Sequence, residues 1–138
     1  MYEFKKAEHL CLKRDIEALF GAGSKSLSFF PLRVVYRPMA YSGSGPRVTV
    51  LLSVAKRHLR HAVDRNLVKR RLREAYRLRK HILTRSLPDG VALHLALIWL
   101  ADEPYTTATV DKRLHTALCR IAETLRSNDA ADAPSHTV

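Results

Sequence analysis

Cysteine is scarce in this 138-residue sequence: Cys11 and Cys119 stand far apart and in no C-x-x-C spacing. That excludes a disulfide framework or a thiolate metal site as the organising device, and both residues read as reduced core thiols of an intracellular protein. No run approaches the ~20 apolar residues of a membrane span. Met-Tyr-Glu-Phe-Lys-Lys at the start has no apolar signal core behind it, so the expectation is a cytoplasmic protein without a membrane partner. The five glycines form no phosphate-cradling loop. The most telling scarcity is of negative charge: 13 Asp and Glu stand against 24 Lys and Arg, a net charge of +11. Such an excess points to a polyanionic partner, nucleic acid or an anionic membrane.

What is present is a 46% hydrophobic chain, long enough to bury one core. Its charge is concentrated. Between Lys56 and Arg85 lie twelve Lys or Arg residues and only two acids, Asp64 and Glu74, so that one segment holds nearly the whole excess. The elements read in sequence as a short helix over Lys13 to Phe20, stopped by Gly21 and Gly23, and a strand over Phe29 to Tyr36 with Pro31 at an edge or start. A glycine-serine loop then leads to a buried strand over Val48 to Val54. The basic helix spans about Ala62 to Leu83, followed by a turn at Leu87-Pro88-Asp89-Gly90 and a central strand over Val91 to Leu100. Val110, Leu114, Ala117, Leu118, Ile121 and Leu125 recur at helical spacing and predict a final helix. The order α-β-β-α-β-α predicts an α+β fold, a single-domain α/β sandwich over 1–126, with 127–138 a disordered tail. No internal repeat is present.

On the basic helix, at 100° per residue, Val68, Leu72, Ala75 and Ile82 share an arc of about 80°. Arg65, Asn66, Lys69, Arg70, Arg73, Arg77 and Lys80 share another arc, about 140° wide. One side can therefore dock on a sheet while the other presents cations and an amide. Solvated charged helices interleave Glu with Lys at i, i+4, whereas here like charges repeat at 65, 69, 73 and 77, which destabilises an isolated helix. A bound polyanion offsets that cost, and Arg is the residue suited to bidentate phosphate contacts.

The order of these residues carries a resemblance. Lys56-Arg57, then Ala62-Val63-Asp64-Arg65-Asn66-Leu67-Val68-Lys69-Arg70-Arg71-Leu72-Arg73-Glu74-Ala75-Tyr76-Arg77, closely resembles the signature helix of the bacterial ribonuclease P protein. Leu10, Ile16, Leu19, Phe20 and Gly23 are similar in spacing to that family's first helix. Two departures stand out. Arg60 occupies a position where the family carries Gly, in a turn with one apparent extra residue, and Ile16 replaces the family's usual aromatic.

The resemblance implies a sandwich in which the basic helix joins two parallel strands by a left-handed crossover, an exception to the usual hand. It implies an endoribonuclease whose catalytic centre lies in an RNA subunit. Mg2+ there is held by RNA, and the protein itself binds no cofactor. The partners it implies are the catalytic RNA and the 5′ leader of precursor tRNA, with no obligatory protein partner. RNA-binding candidates are Lys56, Arg57, Arg60, Arg65, Asn66, Lys69, Arg70, Arg73, Arg77 and Lys80. Candidates for a leader-binding cleft are Phe20, Arg33, Val35, Thr49 and Ser53, the last four chosen from strand alternation, with Phe20 equally readable as core.

Residues for protein-based chemistry are lacking. His58-x-x-His61 has no metalloprotease Glu and sits among cations that disfavour a metal, so no metal site or catalytic residue is expected. His94 and His115 read as structural. Asp102 and Glu103 precede Pro104 in a loop, where capping or solvation is the ordinary role. The alternative to a ribonuclease P subunit is a non-enzymatic RNA-binding protein, ribosome-associated or an RNA chaperone. A DNA groove reader is a further alternative, although neither a helix-turn-helix nor a dimeric frame is evident.

Overall fold

In the computed structural model the described residues are 8, 13–21, 24–41, 43 and 45–135, with side chains described for 16–126 of the continuous elements. Leu10, Cys11 and Gly23 lie outside them. The chain runs α1 (Lys13–Leu19), β1 (Lys25–Phe29), β2 (Leu32–Ala40), β3 (Val48–Val54), α2 (Ala62–Arg79), α3 (His81–Ser86), β4 (Val91–Trp99) and α4 (Thr107–Ser135). The long elements keep the predicted α-β-β-α-β-α order. The strand expected over Phe29 to Tyr36 resolves into a hairpin whose turn is Phe30-Pro31, joined by a cis peptide bond. Proline suits this place because it donates no ladder hydrogen bond. The basic helix is interrupted at Lys80 and resumes as α3; Lys80 keeps helical dihedrals and its amide donates to Tyr76 O at 2.8 Å.

The four strands form one mixed sheet in the order β1-β2-β4-β3. β1, β2 and β4 pair antiparallel in turn, while β3 pairs parallel with β4. A parallel pair needs a crossover, and α2 with α3 supplies it. Gly90, at φ 78°, makes the turn back into β4, a backbone region open to glycine.

Strand alternation gives the sheet two unlike faces. On the inner face Val34, Tyr36, Val48, Val50, Leu93, Leu95, Leu97 and Trp99 meet Val68, Leu72, Ala75 and Tyr76 of α2 and the apolar row of α4 in one continuous core. On the outer face, among the described residues, α1 packs. Its Leu19 and Ile16 cover the cross-strand row Val35, Ala96 and Leu51. The predicted periodicity of α4 holds: Val110, Leu114, Ala117, Leu118, Ile121 and Leu125 are all buried. α4 runs to Ser135, so its helix extends into the segment expected as a disordered tail; the side chains of 127–138 lie outside the described residues.

Candidate nucleic-acid interface

Helix α2 begins at Ala62 after His61, which makes no side-chain cap, and Asp64 in its first turn complements the positive end of the helix. Its buried residues are Val68, Leu72, Ala75 and Tyr76. Tyr76 widens the buried face beyond the arc that the sequence suggests. It lies about 80° round from Val68, between the directions of Arg65 and Lys69. The rest of the cation arc is consequently unequal. Asn66, Arg70 and Arg73 are exposed, whereas Arg65, Lys69, Arg77 and Lys80 are half-buried.

Partners separate the cations further. Arg65 Nη1 donates to the carbonyls of Leu59 at 2.8 Å and Arg60 at 2.9 Å, which closes the turn from β3 into α2. Arg77 donates Nη2 and Nε to the two carboxylate oxygens of Glu74, at 2.5 and 3.1 Å. That pairing holds the Glu74 carboxyl below its ordinary range and raises Arg77. Lys80 Nζ donates to Glu8 at 2.8 and 3.1 Å. Two cations outside the predicted set are tied as well. Arg79 grips Asp111 of α4 through Nη2 at 2.8 Å and Nε at 3.2 Å, and Arg71 donates to the carbonyl of Tyr105. The Asp111 carboxylate raises Arg79 above its ordinary value.

Lys69, Arg70 and Arg73 make no hydrogen bond or ion pair among the described residues, and Asn66 stands in the same row. Val63, Asn66, Leu67, Arg70 and Arg73 line one shallow depression along the helix. Val63 is 77% exposed, so an apolar spot interrupts the cations. Sequence reasoning passed over Val63 and Leu67, although an apolar residue outside the core arc was their visible signal. At the N-terminal approach Lys56, Arg57 and Arg60 are exposed, while His58 bonds Asp102 through Nδ1 at 2.9 Å. Asp102, expected as a capping or solvated residue, therefore clasps the β3–α2 turn.

The leader-cleft candidates are only partly brought together. Phe20, Arg33 and Val35 line a hollow of about 140 Å3 with Leu19, Lys25 and Ser26. Phe20 is half exposed rather than core; Val35 is buried beneath Leu19. Arg33 Nε donates to Ser26 Oγ at 3.1 Å. Ser53 lies in the same cross-strand row as Arg33 with Ile98 between them, about 10 Å away at the usual strand spacing. Thr49 lies across the row that α1 covers. Among the described residues no cluster of three or more His, Cys, Asp or Glu is placed to hold a metal, and no helix is long and apolar enough to cross a membrane.

This arrangement, a stripe of unpaired cations on one helix and a small polar hollow on the opposite sheet face, suits two RNA contacts of different kinds. The chain matches the family model described as Ribonuclease P over residues 4–122. It is 40% identical to the ribonuclease P protein component of Porphyromonas gingivalis over 131 residues, 92% of each chain. It is 31% identical to that of Chromohalobacter salexigens over 132 residues, 96% of this chain and 95% of the relative. Among solved structures, the ribonuclease P protein of Thermotoga maritima superposes with a TM-score of 0.61 at 28% identity, covering 82% of this chain and 96% of that one.

Proposed function

The chain belongs to the ribonuclease P protein family, and from that premise we propose that it binds the catalytic RNA of ribonuclease P through α2 and the 5′ leader of precursor tRNA through the outer sheet face. As a subunit of the endoribonuclease it has an RNA partner, and the ribosome-associated, chaperone and DNA-binding alternatives give way to this role. The observation that carries the assignment of surfaces is the division among the cations of α2. Among the described residues Lys69, Arg70 and Arg73 have no partner, so their charge is available to phosphates, with Asn66 beside them to accept or donate to a base or ribose. Lys56, Arg57 and Arg60 extend the same positive surface along the β3–α2 turn.

On the other face, the hollow at Phe20, Arg33 and Lys25 offers one ring for an unpaired base and two cations for a phosphate. A folded RNA and a single strand are thus recognised on separate sides of one sheet. Hydrolysis leaving a 5′ phosphate on the mature tRNA belongs to the RNA and its Mg2+, and the protein supplies binding and orientation. Its working place is the cytoplasm, where precursor tRNA is made.

Reconstitution tests the reading. Protein with Mg2+ alone should leave precursor tRNA intact. Adding the cognate RNA at near-physiological Mg2+ should give cleavage at the mature 5′ end, more efficiently than RNA alone. Specific cleavage by rigorously RNA-free protein, or no stimulation of the RNA, would overturn it.

A further inference from the structure

A second arrangement of RNA-binding chemistry lies where α2 meets the start of α4. Arg71 is held there by its bond to the Tyr105 carbonyl. Arg70, Arg71, Glu74 and Thr107 line a hollow of about 300 Å3. Arg70 also lines the depression on the cation stripe, so the two surfaces are continuous. The ring of Tyr105 stands edge-on to buried Trp99, at 5.5 Å and 88°, and edge-on to Phe30, at 6.3 Å and 70°. Phe30, in the β1–β2 turn, is 58% exposed.

Single exposed apolar side chains are ordinary on protein surfaces. Phe30 differs because two further rings back it. A backed ring cannot fold into the surface when a flat partner is absent, so its exposed side stays available for stacking. The hollow, tied to this pair through the bond from Arg71 to the Tyr105 carbonyl, has the size of a nucleotide and offers two guanidinium groups. Its one acid, Glu74, is paired with Arg77, which offsets part of the repulsion a phosphate would otherwise meet.

We propose that the hollow between α2 and α4, together with the Phe30–Tyr105 pair, is a subsite for one unpaired nucleotide of the catalytic RNA, its phosphate at Arg70 and Arg71 and its base stacked on Phe30. The nucleotide is unpaired because a paired base buries both faces in its helix. It belongs to the catalytic RNA rather than the leader because the hollow continues the α2 stripe, whereas the Phe20 hollow opens beside α1 on the other sheet face. This inference rests on the RNA-binding reading of α2 and carries the interface round the helix to α4.

The test is a set of Phe30 variants of the full chain, titrated with the cognate ribonuclease P RNA over a salt series, alongside Arg73→Ala. Stacking on a base is lost on truncation at a cost that corresponds to roughly 5- to 150-fold in affinity. Phe30→Ala should therefore weaken binding at least about fivefold. Its slope of log affinity against log salt should equal the wild type's, because stacking releases no counterions. Phe30→Trp should bind like wild type and Phe30→Leu like Ala, all with unchanged melting temperature. If Phe30→Ala binds normally while Arg73→Ala is impaired, the subsite is wrong and the proposed function stands. If neither variant is impaired, both readings fall. Full binding by Phe30→Leu would show simple apolar packing and overturn the stacking claim. An effect appearing only when precursor tRNA is added would move the nucleotide to the leader and overturn it as well.

Discussion

The cations of α2 fall into two sets that differ in what surrounds them. Arg65, Arg71, Arg77, Arg79 and Lys80 are each tied to a carbonyl or carboxylate of this chain. Lys69, Arg70 and Arg73 have no such partner among the described residues. Arg65, Arg71, Arg79 and Lys80 join α2 and its C-terminal end to the preceding turn, to Tyr105, to α4 and to Glu8, whereas Arg77 bonds Glu74 within the helix. Of the untied set, Arg70 and Arg73 are exposed and Lys69 is half-buried beside them. Equal formal charge therefore serves two purposes: internal bonds fix the helix on its scaffold, and the untied set leaves a field for a polyanion, to which Arg71 adds the N–H groups that its one carbonyl bond leaves over. A cation already bonded within the chain has to exchange that bond for a phosphate, whereas an unpaired one gives up only hydration and releases the counterions of the RNA.

The comparison can be pressed first through the scaffold. Leu72 is fully buried beneath the stripe, on the side of α2 that meets the sheet. Leu72→Ala should lower stability by about 2 to 5 kcal/mol in a denaturant titration. Binding by the fraction that stays folded should change far less. Normal stability in this variant would mean that α2 is not held by its apolar face.

Tyr76 gives a pH test of the same side. Burial, followed by the nearby charge of Glu8, raises its pKa well above the ordinary 10. The folded state therefore keeps the phenol proton where the unfolded chain releases it. This contribution to stability is complete below about pH 10 and is lost progressively above it. Tyr76→Phe should weaken the fall in melting temperature between pH 10 and 11. An identical alkaline profile in the two proteins would place the phenol in solvent.

The smallest effect is expected at the end of the chain. Leu125 is the last buried apolar position described. Deleting residues 127–138 should alter stability by less than about 0.5 kcal/mol and leave reconstituted cleavage unaltered. A large drop in melting temperature would assign the last turns of α4 to the scaffold.

Much of this was legible in the sequence. The apolar runs gave β3 at Val48–Val54 and β4 to within one residue, because strands buried on both faces read as continuous hydrophobic stretches. The start of α2 at Ala62 and the spacing of α4 followed from helical period. β1 was missed, although Leu27 and Phe29 alternate with Ser26 and Ser28; the strand is short, and its turn residue Phe30 was read as part of the next strand. The division among the cations was not legible. Asp111 is 32 residues from Arg79, the Tyr105 carbonyl 34 from Arg71, and Glu8 72 from Lys80. No local pattern announces a partner at such distances. Tyr76 explains the remaining misreading: a polar-tipped ring counts poorly as core, yet it is buried, and Arg65 and Lys69 on either side of it are half-buried. The gathering of Phe20 with Arg33, and the separation of Ser53 and Thr49 from them, depended on strand order and on where α1 lies, neither of which alternation alone supplies.

The most direct test sets Arg73→Ala against Arg79→Ala, two arginines of the same helix, one untied and one bonded to Asp111. Affinity for the cognate ribonuclease P RNA is measured across a salt series, with a melting curve for each protein. Arg73→Ala should melt normally and flatten the slope of log affinity against log salt by roughly 0.7 to 0.9, the loss of one phosphate contact. Arg79→Ala should keep the wild-type slope and lose about 0.5 to 1 kcal/mol of stability, the scale of a partly exposed ion pair. A reversed result, with Arg79→Ala flattening the slope and Arg73→Ala leaving it intact, would contradict the division of the helix into scaffold and RNA-facing cations.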